Sequence, residues 1–547
     1  MNKTHNYTSI GLHLAALALL ITLLVMPNQL SAISVSSLLI LPLELFAIGL
    51  LLLLPGGTGL LLSQKLSVML RWMLATLLAL GAIFKCTDMA TYKVFARPFN
   101  PVFDGYLFIN GMNLLQGTLG KFSAVVIAIL LVLAVIAIVI VAFWVLGRVQ
   151  SLLCMSVKRS AALLVIGFIL WLLLFLLGST RASLPFYQHL STHARDIVAT
   201  VTDIQSFKHQ LEDTDNQIPV NENLLSLLQD KDVLVIFVES YGRTVLDNPE
   251  YAPHIHPLLE GTSKTLMEKG FVARSGFLTS PTVGGLSWLA HGTAMSGLWI
   301  DNQIRYNSLM ISEQPSLNRL FNRAGWRTVA VMPAITMEWP EGNYYGYDHI
   351  YHAHNLGYLG KPFNWVTMPD QYTLAAFHAR ELAQTSRRPV MAEIALISSH
   401  APWTPVPQLI DWHSVGDGSV FNAQATSGDS PETVWKDNAR IRLQFRLSIE
   451  YALQTIASYL TTYGNDNTVV LVLGDHQPAP IVTGDNTDLN RGARDVPIHL
   501  IARDPEVINA VAQWQWTPGM LPAEDAPVWR MDELRNRFIE AFSSPVQ

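Results

Sequence analysis

Five long apolar stretches crowd the first third of the chain, at Ile10–Pro27, Ile33–Leu54, Leu66–Phe84, Phe122–Leu146 and Ala161–Leu177. Each approaches the roughly 20 residues an α-helix needs to cross a bilayer, and five such runs in succession do not suit a water-soluble core. Half of the 547 residues are hydrophobic and only 14% are charged, too apolar for an ordinary soluble chain, and the excess is confined to these stretches. The expectation is a transmembrane domain of five helices over residues 1–179. Pro42 and Gly49 interrupt the second span, which membrane helices tolerate, and Arg71 marks the head of the third, where it can snorkel. Asn2-Lys3 before the first stretch and Ser31-Ala32 after it also suit a cleavable signal peptide; four more spans follow directly, so an uncleaved helix is the reading taken.

Lys65 and Arg71 lie between spans two and three, and Arg148, Lys158 and Arg159 between spans four and five. The positive-inside rule puts those loops in the cytoplasm, although Lys85, Lys93, Arg97 and Lys121 fall on the opposite side and weaken the bias. Five spans then leave everything after about Gly178 outside the cytoplasm. Cys86 and Cys154 both fall in the membrane half, on opposite predicted faces, so they cannot pair and the outer part has no disulfide. At more than 300 residues that part can bury an ample core without one. A net charge of −6 argues against a nucleic-acid partner.

Residues 180–230 read as a helical connector near the membrane surface, with Phe186, Ile197, Val201, Ile204 and Phe207 at roughly helical spacing. From residue 231 to 547 the pattern becomes β/α. Predicted strands at Val233–Val238, Trp326–Met332, Val390–Ile397, Thr468–Leu473 and Val496–Ala502 alternate with predicted helices at His256–Lys269, Ser316–Ala324, Gln371–Gln384 and Arg440–Thr462. Fully apolar strands alternating with helices predict a mostly parallel sheet covered by helices on both faces.

Two of those strands stop at chemistry. Val233–Val238 ends at Glu239 and Thr468–Leu473 ends at Gly474-Asp475-His476, and residues distant in sequence meet at the carboxyl edge of such sheets. Two carboxylates and an imidazole suit a divalent ion such as Mn²⁺ or Zn²⁺, although a strand-end acid alone is often only a turn cap. The segment 280–297 offers a nucleophile: Gly284-Gly285 precede Ser287, and a helix-like run follows it. A hydroxyl at a helix amino terminus sits where N–H groups and the dipole favour an anion; a plain N-cap serine fits the same position. Arg442, Arg446 and Glu450 recur at helical spacing and read as a solvated salt-bridge face. Arg97–Tyr106 combines aromatics with helix breakers and reads as an amphipathic loop, with lipid presentation as the sharper alternative.

The order Glu239, hydroxyl at a helix start, Ser399-His400 after a strand, then Gly474-Asp475-His476 resembles the alkaline-phosphatase/sulfatase superfamily, and with the five spans it is similar to the lipoteichoic acid synthase and phosphoglycerol transferase branch. The resemblance implies an alkaline-phosphatase-like α/β domain. It implies one divalent ion, manganese favoured and zinc possible, held by Glu239, Ser287, Asp475 and His476. Ser287 stands nine residues before Ser296-Gly297, the register sulfatases give their nucleophile, whereas Ser280, Thr282 and Thr293 do not. Sulfatases also carry Pro or Ala two residues after the nucleophile and Arg four after; Leu289 and His291 stand there, which disfavours conversion to formylglycine. An unmodified serine suits phosphoryl transfer, with His400 as acid and base and as a substrate contact; a plain turn histidine beside Pro402 is the alternative for His400. Trp339 and Glu341 fall where the synthases contact the headgroup, although their arginine has no obvious counterpart here.

What the resemblance implies as a whole is an enzyme of a bacterial cytoplasmic (inner) membrane with its catalytic domain in the periplasm or outside the cell. It would move a phospholipid headgroup to a glycan or polymer hydroxyl through a covalent Ser287 intermediate. Phosphoglycerol is favoured over phosphoethanolamine, because the phosphoethanolamine transferases of lipid A carry disulfides in that domain. A membrane-anchored sulfatase or phosphodiesterase, or a non-catalytic lipid-binding regulator, remain the alternatives.

Overall fold

The computed structural model describes residues 2–54, 64–212, 223–384, 386–484 and 492–543; residues 213–222 of the predicted connector lie outside them. The chain divides into two compact units, one of Met1–Lys93 with Arg97–Asp203, the other of Val94–Ala96 with Ile204–Gln547.

In the first unit the apolar stretches form α1 (Asn2–Val25), α2 (Leu43–Leu53), α3 (Gln64–Phe95), α4 (Gly105–Cys154) and α5 (Val157–Leu176). Among the described residues three helical segments are long and apolar enough to cross a membrane, Lys65–Phe95, Gly120–Cys154 and Val157–Leu176; Ile10–Val25 and Leu43–Leu53 are apolar but shorter. The second predicted span, Ile33–Leu54, is therefore not one helix. Pro42 lacks an N–H and disfavours helix in the residue before it, and the chain turns extended there: Leu41–Pro42 pairs in parallel with Ala182–Ser183, and the helix restarts at Leu43. The connector contributes α6 (Pro185–Glu212). Arg97 folds its loop back on itself, donating to both carboxylate oxygens of Asp104 at 2.8 and 2.6 Å. Both cysteines are free.

The second unit is built on nine strands among the described residues: β1 (Asp232–Val238), β2 (Val272–Thr279), β3 (Arg327–Met332), β4 (His349–His352), β5 (Val390–Leu396), β6 (Thr468–Gly474), β7 (Asp495–Ala502), β8 (Thr517–Pro518) and β9 (Val528–Arg530). Their order is β8-β2-β7-β6-β1-β5-β3-β4, with β9 also on β2. The pairs linking β6, β1, β5, β3 and β4 are all parallel, whereas β7 runs antiparallel to both β6 and β2. The sheet is thus mixed, parallel through its centre.

Alternation along β1 shows why it reads as one apolar run. Leu234, Ile236 and Val238 are buried in one hydrophobic cluster, and Val233, Val235 and Phe237 in another, so opposite faces of the same strand feed different cores. The first core is closed by the helices Ala252–Glu268 and α8 (Asn438–Tyr463); the second by α7 (Ser287–Ser296) and Leu534–Phe542. Deleting a buried Leu or Ile side chain from such a strand costs about 2–5 kcal/mol, so the strand ends that carry the polar residues are held firmly from both sides.

Candidate metal and nucleophile site

At the carboxyl edge of the sheet β1 and β6 lie side by side, Val238 opposite Gly474, so the next residues, Glu239 and Asp475-His476, emerge together. Ligand atoms of Glu239, Asp475 and His476 lie within 4.8 Å of one another. His476 Nε2 is 3.1 Å from Glu239 Oε1 and 3.7 Å from Asp475 Oδ2, with the three side chains 1%, 11% and 2% exposed respectively. His476 Nδ1 lies 2.8 Å from the Gln477 carbonyl. A carbonyl only accepts, so Nδ1 carries the proton and Nε2 faces the carboxylates.

Ser287 comes to this cluster from the start of α7. Gly284, Gly285 and Leu286 have φ of +74°, +147° and +65°, a left-handed turn that glycine makes cheaply. The same turn is tied to β6's exit, because Gly284 N–H donates to the Gln477 carbonyl that also fixes His476. Ser287 Oγ donates to Glu239 Oε2 at 2.9 Å and lies 3.2 Å from His476 Nε2. Leu286, not Ser287, is the N-cap and has no side-chain acceptor, so the plain capping role weighed from the sequence is not the one this serine plays. Gly297, with φ +67°, caps the other end: the spacing from Ser287 to Ser296-Gly297 is the length of this helix. The other hydroxyls of the segment are engaged with backbone, Ser280 with Asp475 O, Thr282 with Gly285 O and Thr293 with Leu289 O.

Charge is tightly coupled here. Burial alone would lower the His476 imidazole, but negative Asp475 and Glu239 outweigh it and push it up to about 9. Burial alone would raise Glu239, yet the charge and hydrogen bond of His476 hold it well below the usual carboxylate range. Burial and the Glu239 charge together raise Asp475 to about 6. Two buried carboxylates against one imidazole leave an excess of negative charge, and the donors are the oxygen and nitrogen set that borderline divalent ions accept. The residues fit a divalent metal ion.

His400, exposed after β5, donates from Nδ1 to the Ala401 carbonyl at 2.6 Å, leaving Nε2 available, and is near enough to Glu239 for its charge to act on that carboxyl. Trp339 lies instead in an aromatic group with Tyr345 and Tyr347, ring centroids 5.7 and 6.3 Å apart, and Glu341 is the N-cap of the single turn Gly342–Tyr345. Neither makes a hydrogen bond or ion pair with Glu239, Ser287, Asp475 or His476. Arg442 pairs with Glu250 and Arg446 with Glu450, a salt-bridged face as expected.

Three further groups support the cluster. Ser240 donates from Oγ to Glu239 Oε1 at 3.1 Å and from N–H to Asp475 Oδ1 at 2.8 Å. Ser399 Oγ donates to the Glu239 carbonyl at 2.6 Å. His291, one turn beyond Ser287, stacks on Phe237 at 3.8 Å and hydrogen-bonds buried Glu393 at 2.8 Å. Adjacency to Glu239 was the one sequence signal for Ser240; the others depend on register between strands.

A family model described as sulfatase matches residues 231–508. No curated protein sequence matches the chain. Among solved structures the chain is similar to the lipoteichoic acid synthase LtaP from Listeria monocytogenes, at 12% identity and TM-score 0.40, over 63% of this chain and 78% of that one. It is also similar to the phosphoglycerol transferase GacH of Streptococcus pyogenes in complex with sn-glycerol-1-phosphate, at 13% identity and TM-score 0.38, over 62% and 81%. A third is the C-terminal periplasmic domain of EcEptC from Escherichia coli, at 14% identity and TM-score 0.38, over 57% and 82%.

Proposed function

We propose, for a chain that belongs to the sulfatase family, a metal-dependent phosphotransferase that takes a headgroup from a phospholipid, phosphoglycerol before phosphoethanolamine, and passes it to a glycan or polymer hydroxyl. Its membrane helices would anchor it in a bacterial cytoplasmic membrane, with the catalytic domain outside the cytoplasm. The observation that carries this reading is Ser287 Oγ, held 2.9 Å from Glu239 Oε2 and 3.2 Å from His476 Nε2. Leu289 and His291 replace the Pro/Ala and Arg that formylglycine formation requires, so the nucleophile stays a serine.

Glu239, Ser287, Asp475 and His476 would hold the ion, manganese before zinc. Bound there, it supplies positive charge that favours the serine alkoxide. Ser287 Oγ, its proton released to solvent, then attacks phosphorus, forming an Oγ–P bond and breaking the bond to the diacylglycerol oxygen, which takes a proton from His400. Ser287 stands at the amino terminus of α7, where the helix dipole favours the developing negative charge. In the second half His400 takes the proton of the acceptor hydroxyl, which displaces Ser287 and carries the headgroup away. Ser399 and Ser240 keep Glu239 placed throughout.

The experiment is incubation of the detergent-solubilised protein with headgroup-labelled phosphatidylglycerol or phosphatidylethanolamine, followed by intact-mass analysis. A mass increment of phosphoglycerol on Ser287, absent in Ser287→Ala, is the expected result. Label released only as free glycerol phosphate in the presence of glycan acceptors would make it a hydrolase, and a formylglycine mass at Ser287 would remove the transferase reading.

A further inference from the structure

A second group of metal-type ligands lies in the helical unit. Asp88 projects from α3, and His189 and His193 project from α6 at i, i+4, which puts both imidazoles on one helix face. One ligand atom from each lies within 4.8 Å of the others. Asp88 Oδ2 is 3.1 Å from His193 Nε2 and 3.7 Å from His189 Nδ1. Two donors on a tetrahedral zinc, each about 2.0–2.1 Å from the ion, stand about 3.3 Å apart, so these separations bracket the value a shared ion requires.

The surroundings are those of a prepared site. Asp88 is completely buried, and Asn28 Nδ2 donates to its Oδ2 at 2.7 Å while the Phe99 N–H donates to its Oδ1 at 2.9 Å, fixing the carboxylate. Phe84 stacks on the His193 ring at 4.4 Å. The nearby cations are spoken for: Lys85 Nζ donates to the carbonyls of Leu23 and Leu24, and Arg97 is paired with Asp104. His189 is the independent pointer. Its side chain is only 9% exposed, its Nδ1 is beyond hydrogen-bonding distance of Asp88, and its Nε2 is buried with no hydrogen-bond partner. A buried carboxylate whose partners are neutral amide donors and imidazoles lacks a full counter-charge. A divalent ion beside Asp88 Oδ2 supplies that charge and gives His189 Nδ1, 3.7 Å from the carboxylate, a partner. An ionisable group inside a membrane helix is in any case a mark of function.

We propose that Asp88, His189 and His193 form a second metal site, selective for a borderline divalent ion of the zinc class through its two imidazoles and one carboxylate, that clamps α3 to α6. The test uses the full-length protein in detergent, stripped by chelator and re-equilibrated with Zn²⁺ or Co²⁺ alone. In the Glu239→Gln, His476→Ala double variant, which removes the sulfatase-type site, one zinc per chain should remain by elemental analysis, and Co²⁺ should give a tetrahedral visible band. His189→Gln added to that background should remove both signals; His189 makes no hydrogen bond, so the change breaks none. His193→Gln is the second variant. If the double variant retains no zinc after dialysis, or if its zinc survives His189→Gln and His193→Gln, the proposal is overturned.

Discussion

Ser287 and Ser240 occupy adjacent places around Glu239 but answer to different physics. In the proposed mechanism Ser287 is the reacting group, so Ser287→Ala should abolish headgroup labelling. Ser287→Thr should retain it, because a secondary hydroxyl preserves the oxygen that meets Glu239 Oε2 and His476 Nε2. Ser240 only orients. Its hydroxyl donates to the Glu239 oxygen that also faces His476, and partners of this kind are worth about 10–100-fold in metal affinity or activity. Ser240→Ala is expected to weaken Mn²⁺ binding by that order while leaving the Ser287 phospho-adduct detectable at saturating metal; unchanged affinity by calorimetry would show that the hydroxyl is idle. The spacing from Ser287 to Ser296-Gly297 is legible in the sequence and equals the length of α7. Ser240 was hidden, since its role depends on a backbone φ of +59° that swings its N–H toward Asp475.

The loop after β5 shows how an element carries a site without touching it. Asp370, at the start of the helix Asp370–Phe377, is fully buried and accepts the N–H groups of Ile397 and Ser398 through Oδ1, just before Ser399-His400. Its Oδ2 has no partner, and burial, only partly offset by those bonds, raises its carboxyl to about 6. Because the folded value lies above the unfolded one, its contribution to stability is complete below pH ~4 and lost as pH rises through ~6. Asp370→Asn keeps an accepting oxygen and removes the charge, so it should flatten that part of the stability–pH curve. Asp370→Ala leaves two buried N–H groups unpaired and should cost about 1–3 kcal/mol for each. Urea melts of the three proteins at pH 4.5 and 7 check both expectations. Apolar runs made β1, β3, β5, β6 and β7 legible, but β2 escaped: Arg274, Ser275 and Gly276 break its run, and Gly276 is there because the Trp516 indole packs where a Cβ would go. The antiparallel sense of β7 could not be read without its partner β2. Likewise the apolarity of Ile33–Leu54 was plain, but the break at Pro42 is fixed by pairing with Ala182–Ser183, far along the chain.

At the scale of the molecule, two compact units without a disulfide must each be held by their cores and by what they bind. In the sulfatase-family unit the imidazole of His476, pushed up to about 9, is protonated at neutral pH when no metal is bound. Binding an ion through Nε2 must expel that proton, so apparent affinity should rise about tenfold per pH unit between roughly 6 and 9. Below about 6 Asp475 also takes up a proton, and the dependence should steepen. Affinity is in turn stability: an ion at 100 times its dissociation constant adds about 2.7 kcal/mol to the unit that binds it. Thermal melts with Mn²⁺ at pH 5.5, 7 and 8.5 should therefore show a stabilisation that grows with pH, and Glu239→Gln should erase it, because that change removes the negative charge at the centre of the cluster. A Mn²⁺ shift of equal size at all three pH values would mean that His476 does not give up a proton to the ion, and the ligand set would have to be drawn without it.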